Sequence, residues 1–138
     1  MRVEPYLYFD GRCEEAIEFY RRTLGAEISA LLRFKEGGAP HAPGNENRIM
    51  HVALKVGDST VLASDGQCQG KPVFQGFSLA LSTANDGQAE RWFAALSVGG
   101  RVQLPLGATA FASRFGMVAD RFGVLWTVVS QPPASARA

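Results

Sequence analysis

The stretch NRIMHVALKVGDSTVLASDG, Asn47 to Gly66, carries one of the two histidines of the chain. An apolar run from Ile49 to Val56, a turn over Gly57 to Thr60 and a second apolar run from Val61 to Ser64 predict a β-hairpin. Side chains alternate across a strand. With a four-residue turn, Lys55 opposes Leu62 and Ala53 opposes Ser64. His51, Ala53, Lys55, Leu62 and Ser64 then share one face, and Val52, Leu54, Val56, Val61 and Ala63 share the other. The second set is wholly apolar and belongs under a helix, so the mixed set lines a cavity. A two-residue turn preserves this division, whereas a bulge reverses it.

Upstream of the hairpin, PYLYF (Pro5 to Phe9) reads as a strand. DGRCEEAIEFYRRTLGAE follows, with Cys13, Ile17, Tyr20 and Leu24 at helical spacing and Gly25 as the C-terminal stop. EISALLRF is a strand, and KEGGAPHAPGNEN is a Gly/Pro/Asn-rich loop. Downstream, DGQCQGKPVFQG connects to a restart of the same pattern. FSLALST is a strand, and NDGQAERWFAALSVGG is a helix capped by Asn85 or Asp86, with Ala89, Trp92, Phe93 and Leu96 on one face. RVQLPL is a strand, and RFGMVADRFGVLWTVV is a second hairpin.

The chain is therefore β-α-β-β-β written twice. AIEFY at Ala16 matches AERWF at Ala89, an offset of 73, and TVLAS at Thr60 matches GVLWT at Gly123, an offset of 63. The ten-residue difference is a longer loop around Gly37 to Asn47 in the first half. One repeat alone exposes an apolar sheet face, so pairing the two buries a core. The expected class is α+β: two paired modules, about residues 4–66 and 76–130, form a curled mixed sheet around a cavity with the helices outside. Residues 67–75 connect them, and residues 131–138 form a disordered tail.

Composition narrows the function. The net charge of +1 comes from basic residues scattered among acids, which does not suit a nucleic-acid partner. Arg21 and Arg22 follow Glu14, Glu15 and Glu18 at distances that make ordinary helix-surface pairs. No apolar run approaches the roughly 20 residues of a membrane span, and MRVEPYLYF has no secretory apolar region. A cytoplasmic protein without a membrane or nucleic-acid partner is expected. The two cysteines, Cys13 and Cys68, form no C-x-x-C. Cys13 reads as a small buried hydrophobe and Cys68 as an exposed loop thiol.

PYLYFDGRCEEAIEFYRRTLGAE, RFKE, IMHVALKVGDSTVLASDG, FQGFSLAL, GGRVQLPL and RFGMVADRFGVLW together span nearly the whole chain. In these stretches the sequence resembles the PhnB-like family of the vicinal oxygen chelate superfamily, with the glyoxalases, extradiol dioxygenases and bleomycin resistance proteins. Some relatives carry an old label as demethylubiquinone methyltransferases. The residues give that label no support, because no G-x-G loop follows a strand and a Rossmann pattern is absent. The resemblance implies a homodimer and a small-molecule ligand. In metal-dependent members it also implies a divalent ion held by two His or Glu ligands per module, one from the first strand and one from the last.

The offsets place those positions near Pro5 and Ser78 (73 apart) and near Ser64 and Thr127 (63 apart). Proline has no donor atom, and hydroxyls are weak ligands beside imidazole or carboxylate. Among the immediate neighbours only Glu4 and Asp65 bind metal well. No cofactor is expected, and a divalent metal would need an unusual site. His51 then stands as a pocket or core histidine, as a metal ligand with Asp65 or Glu4, or as a catalytic base. The offset of 63 relates it to Arg114, which either clamps an anionic ligand or pairs with Asp120 or Glu90.

The expected ligand-binding set is His51, Ser64, Ser78, Arg114 and Thr127, with Phe34 and Phe115 among the aromatics (also Phe74, Phe77 and Phe111) available to wall a pocket. Phe19, Tyr20, Trp92, Phe93 and Trp126 read as core, and His41 as exposed and inert. Three functions fit: a metal-free small-molecule binder, a lyase or isomerase using His51 as base or in an unusual metal site, or an interaction protein with a filled cavity.

Overall fold

A computed structural model describes residues 1–66 and 70–131. Cys68 and the tail from Pro132 onward lie outside the described residues. The chain divides into two compact units, Met1–Pro72 and Val73–Ala138. The elements of the first are β1 (Tyr6–Tyr8), α1 (Cys13–Leu24), β2 (Glu27–Arg33), α2 (Phe34–Gly37), β3 (Ile49–Val56) and β4 (Ser59–Ser64). Those of the second are β5 (Leu79–Thr83), α3 (Asp86–Ser97), β6 (Arg101–Gly107), β7 (Arg114–Ala119) and β8 (Leu125–Ser130). Each unit holds a four-stranded mixed sheet, ordered β1-β4-β3-β2 and β5-β8-β7-β6. Among the described residues the parallel pairs are β1 with β4 and β5 with β8. No helix among the described residues is long and apolar enough to cross a membrane.

The predicted periodicities explain the packing. In α1 the buried set Cys13, Ala16, Ile17, Phe19 and Tyr20 occupies one face, and Gly25 ends the helix with φ of 69°. Glycine adopts that left-handed conformation without the penalty a Cβ imposes. Under α1 lie Leu7, Val52, Leu54 and Ala63, all at most 2% exposed. In α3 the Asn85 side chain accepts from the Gln88 backbone N–H at 2.8 Å, an N-cap, and Ala89, Phe93 and Leu96 are buried. Of the expected core aromatics, Phe19, Tyr20, Phe93 and Trp126 are buried, while Trp92 is half-buried.

Two local readings are corrected. The start of the Gly/Pro-rich loop folds as α2, because Glu36 accepts from the Arg33 backbone N–H at 3.0 Å while the Arg33 guanidinium donates to Glu14 and to the Asn47 carbonyl. The β3–β4 turn has two residues, Gly57 and Asp58, with Val56 paired to Ser59. Lys55 therefore opposes Thr60, and Ala53 opposes Leu62. Gly57, with φ of 58°, takes the turn position that disfavours a side chain. A two-residue turn and a four-residue turn differ by an even number, so the two faces stay as expected.

Candidate functional site

In the first unit, the face of the sheet opposite α1 carries Tyr6, Tyr8 and His51. Tyr6 and Tyr8 point to the same side of β1 and stack, with ring centroids 5.1 Å apart and planes 12° from parallel. Both remain exposed, at 38% and 42%. The Tyr6 hydroxyl lies 2.7 Å from His51 Nδ1, joining β1 to β3 across β4. Burial raises the Tyr6 phenol pKa, and the neighbouring Tyr8 raises it further, so the hydroxyl keeps its proton. The Tyr8 ring crosses Gly66, where an added Cβ would lie 2.7 Å from Tyr8 Cδ1.

In the second unit the corresponding face carries a Ser78–Thr127 hydroxyl pair, 2.7 Å apart, and Met117, which opposes Thr127 in the β7–β8 register. Phe115 is on this face too and meets Phe111 edge-on at 5.2 Å. Phe34 lies elsewhere in the first unit, buried at the start of α2 with its ring 5.5 Å from that of the exposed His41.

The register reassigns the repeat. Ala63 pairs with Val52, and Trp126, its match at an offset of 63, pairs with Val118. His51 therefore corresponds to Met117, and Arg114 is not its counterpart. The cause is turn length: two residues join β3 to β4, whereas five, Asp120 to Val124, join β7 to β8. Three extra residues, an odd number, carry an offset of 63 onto the wrong face. Arg114 lies on the helix side with Gly116 and Val118. Its Nε donates to Glu90 at 3.1 Å, and Nη1 lies 3.8 Å from Asp86 Oδ2, both on α3. Of the two partners expected for an ion pair, Glu90 is found. Asp120 is buried and accepts from the backbone N–H groups of Phe122 and Val124 and from the Trp126 indole.

The same register makes Tyr6, opposite Leu62, the counterpart of Ser78 in place of Pro5, since Leu7 pairs with Ala63 and Leu79 with Trp126. The helices obey an offset of 73 and these first strands an offset of 72, because the β5–α3 connection is one residue longer over the matched positions.

The four positions implied for metal are thus Tyr6, Ser64, Ser78 and Thr127. All are neutral hydroxyls with partners already: Tyr6 with His51, Ser78 with Thr127, and Ser64 with the Gly66 N–H and the Ile49 carbonyl. Asp65 is engaged as well. It is 3% exposed and accepts from the backbone N–H groups of Gly11 (2.6 Å), Cys13 (2.9 Å) and Ile49 (2.9 Å). Glu4 lies 3.8 Å from Arg2 and borders a separate cleft of about 390 Å³ beside Asp58, Ser59 and Thr60. Among the described residues no three His, Cys, Asp or Glu side chains gather into a metal-holding group. The donor set does not fit the ion that the superfamily implies. Cys13 is fully buried, and its burial, reinforced by Asp65, raises the thiol pKa far above neutrality, which suits packing and not reactivity.

Asp86 organises the end of the second sheet. Its Oδ1 accepts from the Ser113 and Ser130 hydroxyls at 2.5 and 2.6 Å. These bonds, with a smaller contribution from Arg114, hold the carboxyl below its ordinary range. A depressed folded pKa stabilises the fold above the unfolded carboxylate pKa and ceases to do so as pH falls through the folded value. Asp86→Asn should therefore lower the urea midpoint at pH 7, and the gap from wild type should close below about pH 4. A gap that stays constant down to pH 3 would count against this assignment.

Comparison with known proteins agrees with this architecture. The chain belongs to the 3-demethylubiquinone-9 3-methyltransferase family, whose model matches residues 1–129. It is 34% identical over 145 residues to Protein YjdN of Escherichia coli (strain K12), covering 96% of this chain and 99% of YjdN. The crystal structure of PA1353 from Pseudomonas aeruginosa is 40% identical, with a TM-score of 0.85 over 96% of this chain and 99% of that one. The PhnB protein from Bacillus cereus is 25% identical, with a TM-score of 0.80 over 94% and 99%. A glyoxalase-related enzyme from Fulvimarina pelagi, 17% identical with a TM-score of 0.60 over 95% and 88%, shares the fold. The protein thus has the glyoxalase-like α+β fold and belongs with the PhnB proteins.

Proposed function

We propose that the protein is a metal-independent small-molecule binder whose ligand meets the Tyr6–Tyr8–His51 face of the first sheet. The observation that carries this reading is the replacement of all four implied metal positions by hydroxyls that are hydrogen-bonded within the protein. Half-exposed aromatic rings beside a polar group supply contact area and orientation together, the usual composition of a ligand site. The methyl transfer in the family's description is not part of the reading. The sequence contains no G-x-G, and among the described residues each sheet has one parallel pair, unlike the parallel sheet of a dinucleotide-type fold. The Tyr6 hydroxyl already engages Nδ1, so any base role for His51 would fall to Nε2.

The test is metal content of protein purified without a His tag, then titration with Ni, Zn, Mn and Fe(II) beside a His51→Ala variant. The expected result is no stoichiometric metal and no binding tighter than about micromolar, since a lone imidazole lacks the further ligands of a closed site. Stoichiometric metal that disappears in His51→Ala would overturn the metal-free reading and bring a metal enzyme forward.

A further inference from the structure

Tyr6 and His51 stand 45 residues apart in the chain and meet at 2.7 Å. That separation matches an O–H donor better than an N–H donor, whose bonds to oxygen centre near 2.9–3.0 Å. A phenol is also the stronger acid of the two neutral groups, and imidazole nitrogen the stronger acceptor. Both points favour a hydrogen bond donated by the Tyr6 hydroxyl to His51 Nδ1, the ring tautomer being what the experiment below decides. A neutral imidazole that accepts at Nδ1 carries its proton on Nε2 and has no second acceptor. Tyr6 is itself held by its stack on Tyr8, whose ring is packed over the backbone of Gly66.

We propose that Tyr6 is a positioning residue that fixes His51 as a hydrogen-bond donor through Nε2, and that this face takes a planar ligand bearing a carbonyl or carboxylate oxygen. This rests on the binding reading above and names its ligand class. The planar part lies against the exposed Tyr6 and Tyr8 rings, and the oxygen accepts from the imidazole.

The experiment uses the full chain labelled with nitrogen-15. Long-range proton–nitrogen spectra at about pH 8, above the ordinary histidine range, report which ring nitrogen of His51 carries the proton. A His51→Gln variant assigns the signals, and His41 serves as the internal reference. The expected result is a single Nε2–H form for His51, which becomes a mixture of forms in Tyr6→Phe. A proton on Nδ1, or a tautomer unchanged by Tyr6→Phe, overturns the proposal while leaving ligand binding open to other contacts.

Benzoate and benzylammonium are then titrated as probes. Benzoate should shift the His51, Tyr6 and Tyr8 signals and bind about tenfold more weakly to Tyr6→Phe, the scale of one lost hydrogen bond. Benzylammonium should shift none of them. Binding of benzylammonium in place of benzoate overturns the ligand class but keeps the face as a binding site. Silence with both probes overturns the ligand class and the binding reading together.

Discussion

Asp65→Ala should destabilise the first unit by about 3–4 kcal/mol, measured as the change in urea unfolding free energy. The carboxylate is buried and serves three backbone donors from two distant segments, Gly11 and Cys13 at the start of α1 and Ile49 at the start of β3. No side chain of Arg12, the residue at the N-cap position, caps α1. Asp65, arriving from the end of β4, does that work across space, satisfying donors that every helix N-terminus leaves open. Truncation removes a cap worth about 1 kcal/mol and leaves buried N–H groups costing about 1–3 kcal/mol. Asp65→Asn keeps one acceptor oxygen and should lose less. A loss below about 1 kcal/mol for Asp65→Ala would mean that water replaces the carboxylate. Because the effect is structural, weaker ligand binding by an Asp65 variant is no evidence that Asp65 touches the ligand.

Gly116→Val should cost the second unit about 3 kcal/mol by the same measurement. Gly116 sits on the helix side of β7. A Cβ there would lie 2.8 Å from Leu106 Cα, 2.8 Å from Phe93 Cε2 and 3.0 Å from the Leu106 nitrogen. Two of these atoms belong to the backbone of β6, so relief requires a strand to move and not merely a rotamer change. Gly107→Ala, at the end of β6, is the control: its Cβ would meet nothing within 4 Å, and its stability should change by less than about 0.5 kcal/mol. A mild Gly116→Val would show that β6 yields easily, and would weaken the assignment of Gly116, Val118 and Arg114 to the helix side.

Strand register, and not a match of letters, decides that Arg114 lies on the helix side. The letter match between TVLAS and GVLWT holds for β4 and β8, but it does not carry across a turn whose length differs between the units. Helical spacing survives such errors because 3.6 residues return to a face gradually. A strand does not, since one residue inverts it. Arg114 consequently belongs to an ion-pair network with α3, and Met117 takes the place expected for it.

Tyr6 is the residue the expected ligand-binding set left out. In the sequence it is one letter of an apolar first strand. Its signal was a tyrosine adjacent to a position already singled out, on a strand two places from a second tyrosine. What raises it above its neighbours is a partner 45 residues away, and no local pattern encodes that.

The sequence by itself determined the two β-α-β-β-β units, the Gly25 stop of α1 and the N-terminal start of α3, the division of the first hairpin into an apolar and a mixed face, and the poverty of metal ligands. Those properties follow from periodicity, capping residues and side-chain chemistry, all of which act over a few neighbouring positions. Only the tertiary structure decided that Asp65 caps α1, that Arg114 turns toward α3, and that Tyr6 meets His51. Each depends on strand register and on groups distant in the chain, and register is settled by the whole sheet closing its hydrogen bonds at once.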